Sequence, residues 1–249
     1  MPRLIPNRLV AACALALALS LSITAVAGAK GFGAELRVVG ANGKLLAEQT
    51  VTSGTTSVKT SPQATCFGKG TGGSGKSVSI AGNTAMGLLA KGAKSTAALR
   101  PLSISDSFDF GLALCGIGSS VAKGKSSWYL KINHKAPSVG GDSAQIRQGD
   151  EVLWDLAPSY PYPDELVLFA PATATAGLPF TARVFAYDEQ GKRKPASGVS
   201  VSGGTKVTDK EGKTTVVIGG PTLLTASKSG AIPSAKVGVC TGNECPGSG

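Results

Sequence analysis

Apolar and polar residues alternate, imperfectly, over residues 34–39 (Ala-Glu-Leu-Arg-Val-Val) and continue over Lys44–Val51, with Asn42-Gly43 between the two runs. A period of two marks half-buried strands, and Asn-Gly tolerates the positive φ angles of a tight turn, so the pattern predicts a hairpin. A Ser/Thr/Gly-rich stretch follows to Ser77. After Asn83-Thr84 the period changes: Met86, Leu89, Ala90 and Ala93 stand at i, i+3, i+4 and i+7, the stripe of one short core-facing helix. Gly87 and Gly92 weaken that helix by about 1 kcal/mol each relative to alanine. Beyond Pro101 strand patterns return at Phe108–Cys115, Ser127–Asn133, Ala144–Arg147 and Glu151–Leu156. Hairpin, helix, then strands is the order of an α+β domain with its helix on one face of a mostly antiparallel sheet.

Pro158, Pro161 and Pro163 then interrupt the pattern. Proline donates no ladder hydrogen bond and favours an extended, semi-rigid spacer. Residues 165–240 hold only short strand-like runs, at Leu166–Phe169, Phe180–Tyr187, Gly198–Val201, Lys206–Thr208, Thr214–Ile218, Leu223–Ala226 and Ala235–Val239. Seven short strands without a helical stripe predict a small all-β sandwich. The expected organisation is therefore a leader (1–29), an α+β domain (30–157), a Pro-rich linker (158–164), a seven-strand sandwich (165–240) and a tail (241–249).

The leader is read as a signal peptide. Arg3 and Arg8 precede the apolar run Leu9–Leu19, and Ala27-Gly28-Ala29 offers a small-x-small cleavage site. An uncleaved anchor is the alternative, because Leu9–Ala27 approaches the length that spans a bilayer; only then would a membrane be a partner. Cys13 lies inside the apolar run, whereas a lipidated cysteine would follow it. Cleavage leaves Cys66, Cys115, Cys240 and Cys245, an even set suited to an oxidising compartment. Three pairings are open. Two local bridges, Cys66–Cys115 and Cys240–Cys245, form the simplest set, contributing about 4 and 2 kcal/mol by loop closure. The spacings do not match paired zinc hooks, so no metal ion is expected.

Composition sharpens this picture. Of 249 residues, 42% are hydrophobic, but part of that excess belongs to the leader; 34 glycines and 14 prolines supply the turns. Charged residues make up 16% and there is one histidine, which leaves little for acid–base chemistry. The net charge is +10, and residues 30–157 hold 14 basic against 8 acidic side chains. On an exported protein this favours anionic envelope polymers or lipid headgroups. No basic cluster is interleaved with aromatics, so no nucleic acid is expected.

Several motifs invite chemistry. Gly70–Ser77 satisfies G-x-x-x-x-G-K-S/T, but a phosphate loop needs a buried strand before it and a helix after it, and Val78–Gly82 reads as a strand. Asp106, Asp109, Asp142, Asp150 and Asp155 lack the dense spacing of a calcium loop and read as turn and hydrogen-bonding residues. His134 could pair with Asp142, but it is read as ending a strand at the surface. Trp128 and Trp154 lie in strand patterns and read first as core.

Thr84–Leu89, the strand Ser127–Asn133 and the closing Gly149–Trp154 resemble the transcobalamin-like C-terminal domain family. The resemblance spans residues 34–157. It implies a β-grasp-like fold with one helix, and it marks Trp128, Tyr129, Asn133 and Trp154 as ligand-binding residues for a flat, corrinoid-like molecule. Members of that family usually carry Asn-Gly where this chain has Asn133-His134, which alters the turn. The large helical partner domain of the vertebrate carriers has no counterpart here. Residues 165–240 more loosely resemble a bacterial immunoglobulin-like or prealbumin-like surface module, through Pro195–Val199 and Thr208–Lys213. The combined expectation is a secreted or cell-surface, non-enzymatic protein without a cofactor. It would be a binding or adhesion module for a surface protein or anionic polymer. Small-molecule binding is the alternative, and a hydrolase or nucleotide-binding enzyme the third reading.

Overall fold

The computed structural model describes residues 31–247. The predicted leader lies outside the described residues, as does the end of the predicted tail. The chain opens with β1 (Gly33–Val39) and β2 (Leu45–Thr52), an antiparallel hairpin turned by Asn42 and Gly43 at φ of 59° and 71°. β3 (Thr56–Lys59) and β4 (Ser77–Ile80) pair around the glycine-rich segment. The helix α1 (Ala85–Ser95) begins where the periodicity changes: the Thr84 hydroxyl oxygen accepts from Gly87 N–H at 3.1 Å.

Gly87 and Gly92 are close-approach positions. A Cβ on Gly87 would lie 2.1 Å from the Ala81 carbonyl oxygen, and one on Gly92 would lie 2.6 Å from Leu36 Cδ2. Gly92 therefore lets the helix press onto β1 and β2, and Gly87 lets its first turn close on the segment that leads into it.

Phe108–Cys115, expected as one strand, is instead divided between β5 (Leu102–Phe108) and β6 (Gly111–Ile117), which form a hairpin that β7 (Ser120–Val121) extends. β8 (Ser127–Ile132) and β9 (Glu151–Ala157) complete the first half. Ala144–Arg147, expected as a strand, makes only an isolated bridge through Gln145. Its neighbourhood serves the helix: Ala144 and Gly141 carbonyls accept from Ala85 and Met86 N–H, two donors that the first helical turn leaves open.

The main sheet has the order β2-β1-β9-β8, with β1 and β9 parallel and β8 antiparallel to β9. Its two faces differ. Leu36, Val38, Val152, Trp154 and Leu130 join α1 in one apolar core. The registers place Arg37, Leu153 and Lys131 in one row of the opposite face, and Val39, Asp155 and Tyr129 in the next.

The second half comprises β10 (Glu165–Phe169), β11 (Thr173–Ala174), β12 (Phe180–Tyr187), β13 (Arg193–Pro195), β14 (Ser200–Val201), β15 (Lys213–Val216), β16 (Thr222–Leu224), β17 (Ala226–Ser227) and β18 (Val237–Thr241). β12 pairs with β10, β13 and β15; β18 joins β11 and β16; β14 pairs with β17. Together they enclose a second core that includes Leu166, Val184, Val201, Val216, Leu224 and Val239. Lys206–Thr208 forms no strand, although Thr208 N–H donates to the Val199 carbonyl.

Strand makes up 42% of the described residues and helix 8%, so the fold is mostly β. Cys66–Cys115 and Cys240–Cys245 are both disulfides, which fits an oxidising, extracytoplasmic environment. Among the described residues no helix is long and apolar enough to cross a membrane. A third cluster, with Val39, Tyr129, Leu153 and Ala157 from the first half and Ile232 from the second, joins the two cores, and Tyr162 of the Pro-rich segment packs against it.

Candidate functional site

β8 is an edge strand, and the cleft that runs beside it collects most of the expected ligand residues. Trp128, Tyr129 and Trp154 line this space of about 330 Å³ together with Phe110, Pro137 and Tyr162. Trp128 and Tyr129 are consecutive and point to opposite faces, so a cleft touching both follows the strand's edge. Tyr129 is buried and stacks on Tyr162, with ring centroids 4.1 Å apart. Trp154 is buried in the first core beneath Gly141, where an added Cβ would come within 2.4 Å of the indole.

The rim is apolar and open. Phe110 is 75% exposed, Phe67 56% and Val139 51%, with Phe110 stacked on Phe108. Behind the lining of the cleft Trp128 Nε1, Trp154 Nε1 and the Tyr129 hydroxyl are buried without a hydrogen-bond partner among the described residues. Unpaired buried polar atoms cost about 1–3 kcal/mol each, so three beside one cleft is an uncommon concentration. Burial, followed by the charge of Glu189, raises the Tyr129 pKa well above its ordinary value.

Asn133 is not part of this cleft. Its amide clamps the turn after β8, donating to Asp150 Oδ1 and accepting from Glu151 N–H, both at 2.9 Å. His134 follows at φ 69°, next to Asn133 at 50°, so two consecutive residues other than glycine take the left-handed conformation of a tight turn.

That side chain enters a charged cluster that sequence patterning did not disclose. Glu165 Oε2 lies 3.2 Å from His134 Nδ1 and 3.6 Å from Lys131 Nζ, and Glu165 Oε1 accepts from Arg37. His134 Nε2 lies 3.4 Å from Glu151, so the histidine expected to end a strand at the surface turns into this cluster, and the carboxylate of Asp142, the pairing considered as an alternative, accepts from Leu112 N–H instead. Glu165 and Lys131 are essentially inaccessible, and Arg37 and Asp155 are buried beside them. Burial opposes ionisation of Glu165, but the neighbouring His134, Arg37 and Lys131 outweigh it and hold the pKa below its ordinary value. Burial lowers Lys131, and it pushes Asp155 up to about 7. The available signal was a charge at an inward strand position, but nothing in the pattern pairs residues 37, 131 and 165.

The glycine-rich loop already holds an anion of its own. Ser74 N–H and Oγ donate to the two Asp106 oxygens at 2.6 Å each, and the loop runs into β4 rather than a helix. Asp150 likewise accepts from Arg147 N–H. Among the described residues no cluster of three or more His, Cys, Asp or Glu side chains has metal-binding geometry.

No protein-family model matches the sequence, and neither a curated protein nor a solved structure matches the chain.

Proposed function

We propose that this is an exported, non-enzymatic binding module of the cell envelope, whose partner is held in the aromatic cleft beside β8. The observation that carries the reading is the open aromatic cleft beside β8, where Trp128, Tyr129 and Tyr162 meet the exposed Phe110. The exposed rim of Phe67, Phe110 and Val139 adds apolar contact of the kind that marks interaction sites. Among the described residues lining the cleft, none is a nucleophile with an aligned base.

A transcobalamin-like, β-grasp-like first half is supported by the β2-β1-β9-β8 order, with its parallel central pair and one helix on a single face. An immunoglobulin-like second half is supported by short strands in several sheets around a common core. The same cleft favours a second reading, a flat corrinoid-like molecule stacked among its aromatic rings.

The test is binding of purified envelope fractions to the exported protein, read by tryptophan emission, for wild type and Phe110→Asp. The expected result is a shift on binding that Phe110→Asp weakens about tenfold, as loss of an interface anchor does. Binding indifferent to that change but abolished by salt would overturn the cleft and assign the contact to the basic surface. Quenching by cobalamins in the same assay would select the second reading.

A further inference from the structure

We propose that the cleft takes an extended peptide, which adds to the main sheet as the next strand beyond β8. This rests on the cleft being the partner site. Asn133 N–H donates to the Glu151 carbonyl, so odd-numbered residues of β8 turn their backbone groups toward β9. In an antiparallel ladder the alternate residues, Trp128, Leu130 and Ile132, turn theirs to the opposite edge. Ile132 is paired there with Lys135, at 2.8 and 3.1 Å. Trp128 and Leu130 have no backbone partner on that edge among the described residues.

The chain that follows cannot fill the vacancy. Ala136 N–H leaves the edge to donate to the Glu189 carbonyl at 3.0 Å, and Pro137 has no N–H to offer. Two N–H and two C=O groups at strand spacing therefore border an aromatic cleft. That repeat of donors and acceptors is what an extended peptide matches, with the backbone giving affinity and side chains giving selectivity.

Charge selects the peptide. Glu189 is the one charged side chain lining the cleft among the described residues, and no lysine or arginine lines it. Glu189 stands at the Tyr129 end, and its charge acts on that hydroxyl. The occupant is thus a segment with a basic residue that reaches Glu189 and apolar residues at alternate positions toward Phe110 and Val139.

The test titrates the exported protein with an acetylated, amidated heptapeptide of alternating lysine and valine. Its glutamate–valine counterpart and a form N-methylated on alternate backbone amides serve as comparisons. Amide hydrogen exchange is followed by NMR. The lysine peptide is expected to slow exchange at Trp128 and Leu130 about tenfold, and the other two to bind about tenfold more weakly. Glu189→Gln is expected to remove the preference for lysine over glutamate while keeping the protection. Failure of the lysine peptide to bind, equal binding of the N-methylated form, or binding without protection at Trp128 and Leu130 would overturn strand addition. So would protection that rises with protein concentration alone, which would make a second copy the occupant. A planar molecule that shifts tryptophan emission without such protection would end strand addition and leave the cleft reading intact. Partner binding indifferent to Phe110→Asp would instead end the cleft reading.

Discussion

Asp155 lies between Val39 and Tyr129 on the far face of the main sheet, buried close to Arg37, Lys131 and Glu165. Burial raises its pKa from 3.8 to about 7, although the two cations pull the other way. A carboxyl raised on folding binds its proton more tightly in the native state. Its contribution is therefore present at low pH, declines as pH rises from about 4 to about 7, and is lost above. Three pKa units correspond to about 4 kcal/mol. Asp155→Asn is expected to match wild type near pH 4 and to exceed it by up to that amount at pH 8, measured by urea unfolding at both pH values. A gap that does not widen with pH would remove Asp155 as its source. Glu165 works in the opposite sense: its lowered pKa contributes stability above the ordinary carboxylate range, and this is lost as pH falls.

At the scale of elements, α1 was the most legible part of the chain. The Thr84 start and the stripe through Met86, Leu89, Ala90 and Ala93 are local signals, and all four stripe residues are buried. Thr84→Ala removes the acceptor for Gly87 N–H and is expected to cost about 1 kcal/mol in thermal or denaturant unfolding. No measurable loss would show that the Gly141 and Ala144 carbonyls hold that helix end alone. The Asn42-Gly43 hairpin was equally readable because turn and register are set within a dozen residues. Ala144–Arg147 was not. It has strand composition, but the open N–H groups of α1 draw its neighbourhood into a cap, and that demand lies some sixty residues away in sequence. The edge position of β8 was also illegible, since order in a sheet depends on long-range pairing. Trp128, Tyr129 and Trp154 could be named from the sequence, but not the cleft that gathers them or the turn that holds Asn133 apart.

At the scale of the whole molecule, the polar face of the main sheet is covered by the second half. Glu165, the first residue of β10, meets Arg37 from β1, Lys131 from β8 and His134 from the turn beyond. Removing the acid strands two buried cations, so Glu165→Ala is expected to cost about 3–5 kcal/mol. Glu151, whose side chain is 48% exposed, pairs with the same histidine, and its loss is expected to cost at most about 1 kcal/mol. Equal effects of the two substitutions in denaturant unfolding would show that the buried cluster does not hold the halves together.

What the sequence determined by itself is local: the hairpin, the capped helix, the strand-rich second half and the four cysteines, each set by contacts among near neighbours or by residue type. Only the tertiary structure decided which face of each strand meets another. Alternation marks one side of a strand as polar without saying whether water or another part of the chain covers it. Here the second half covers it, because Glu165 supplies the countercharge that lets Arg37 and Lys131 be buried.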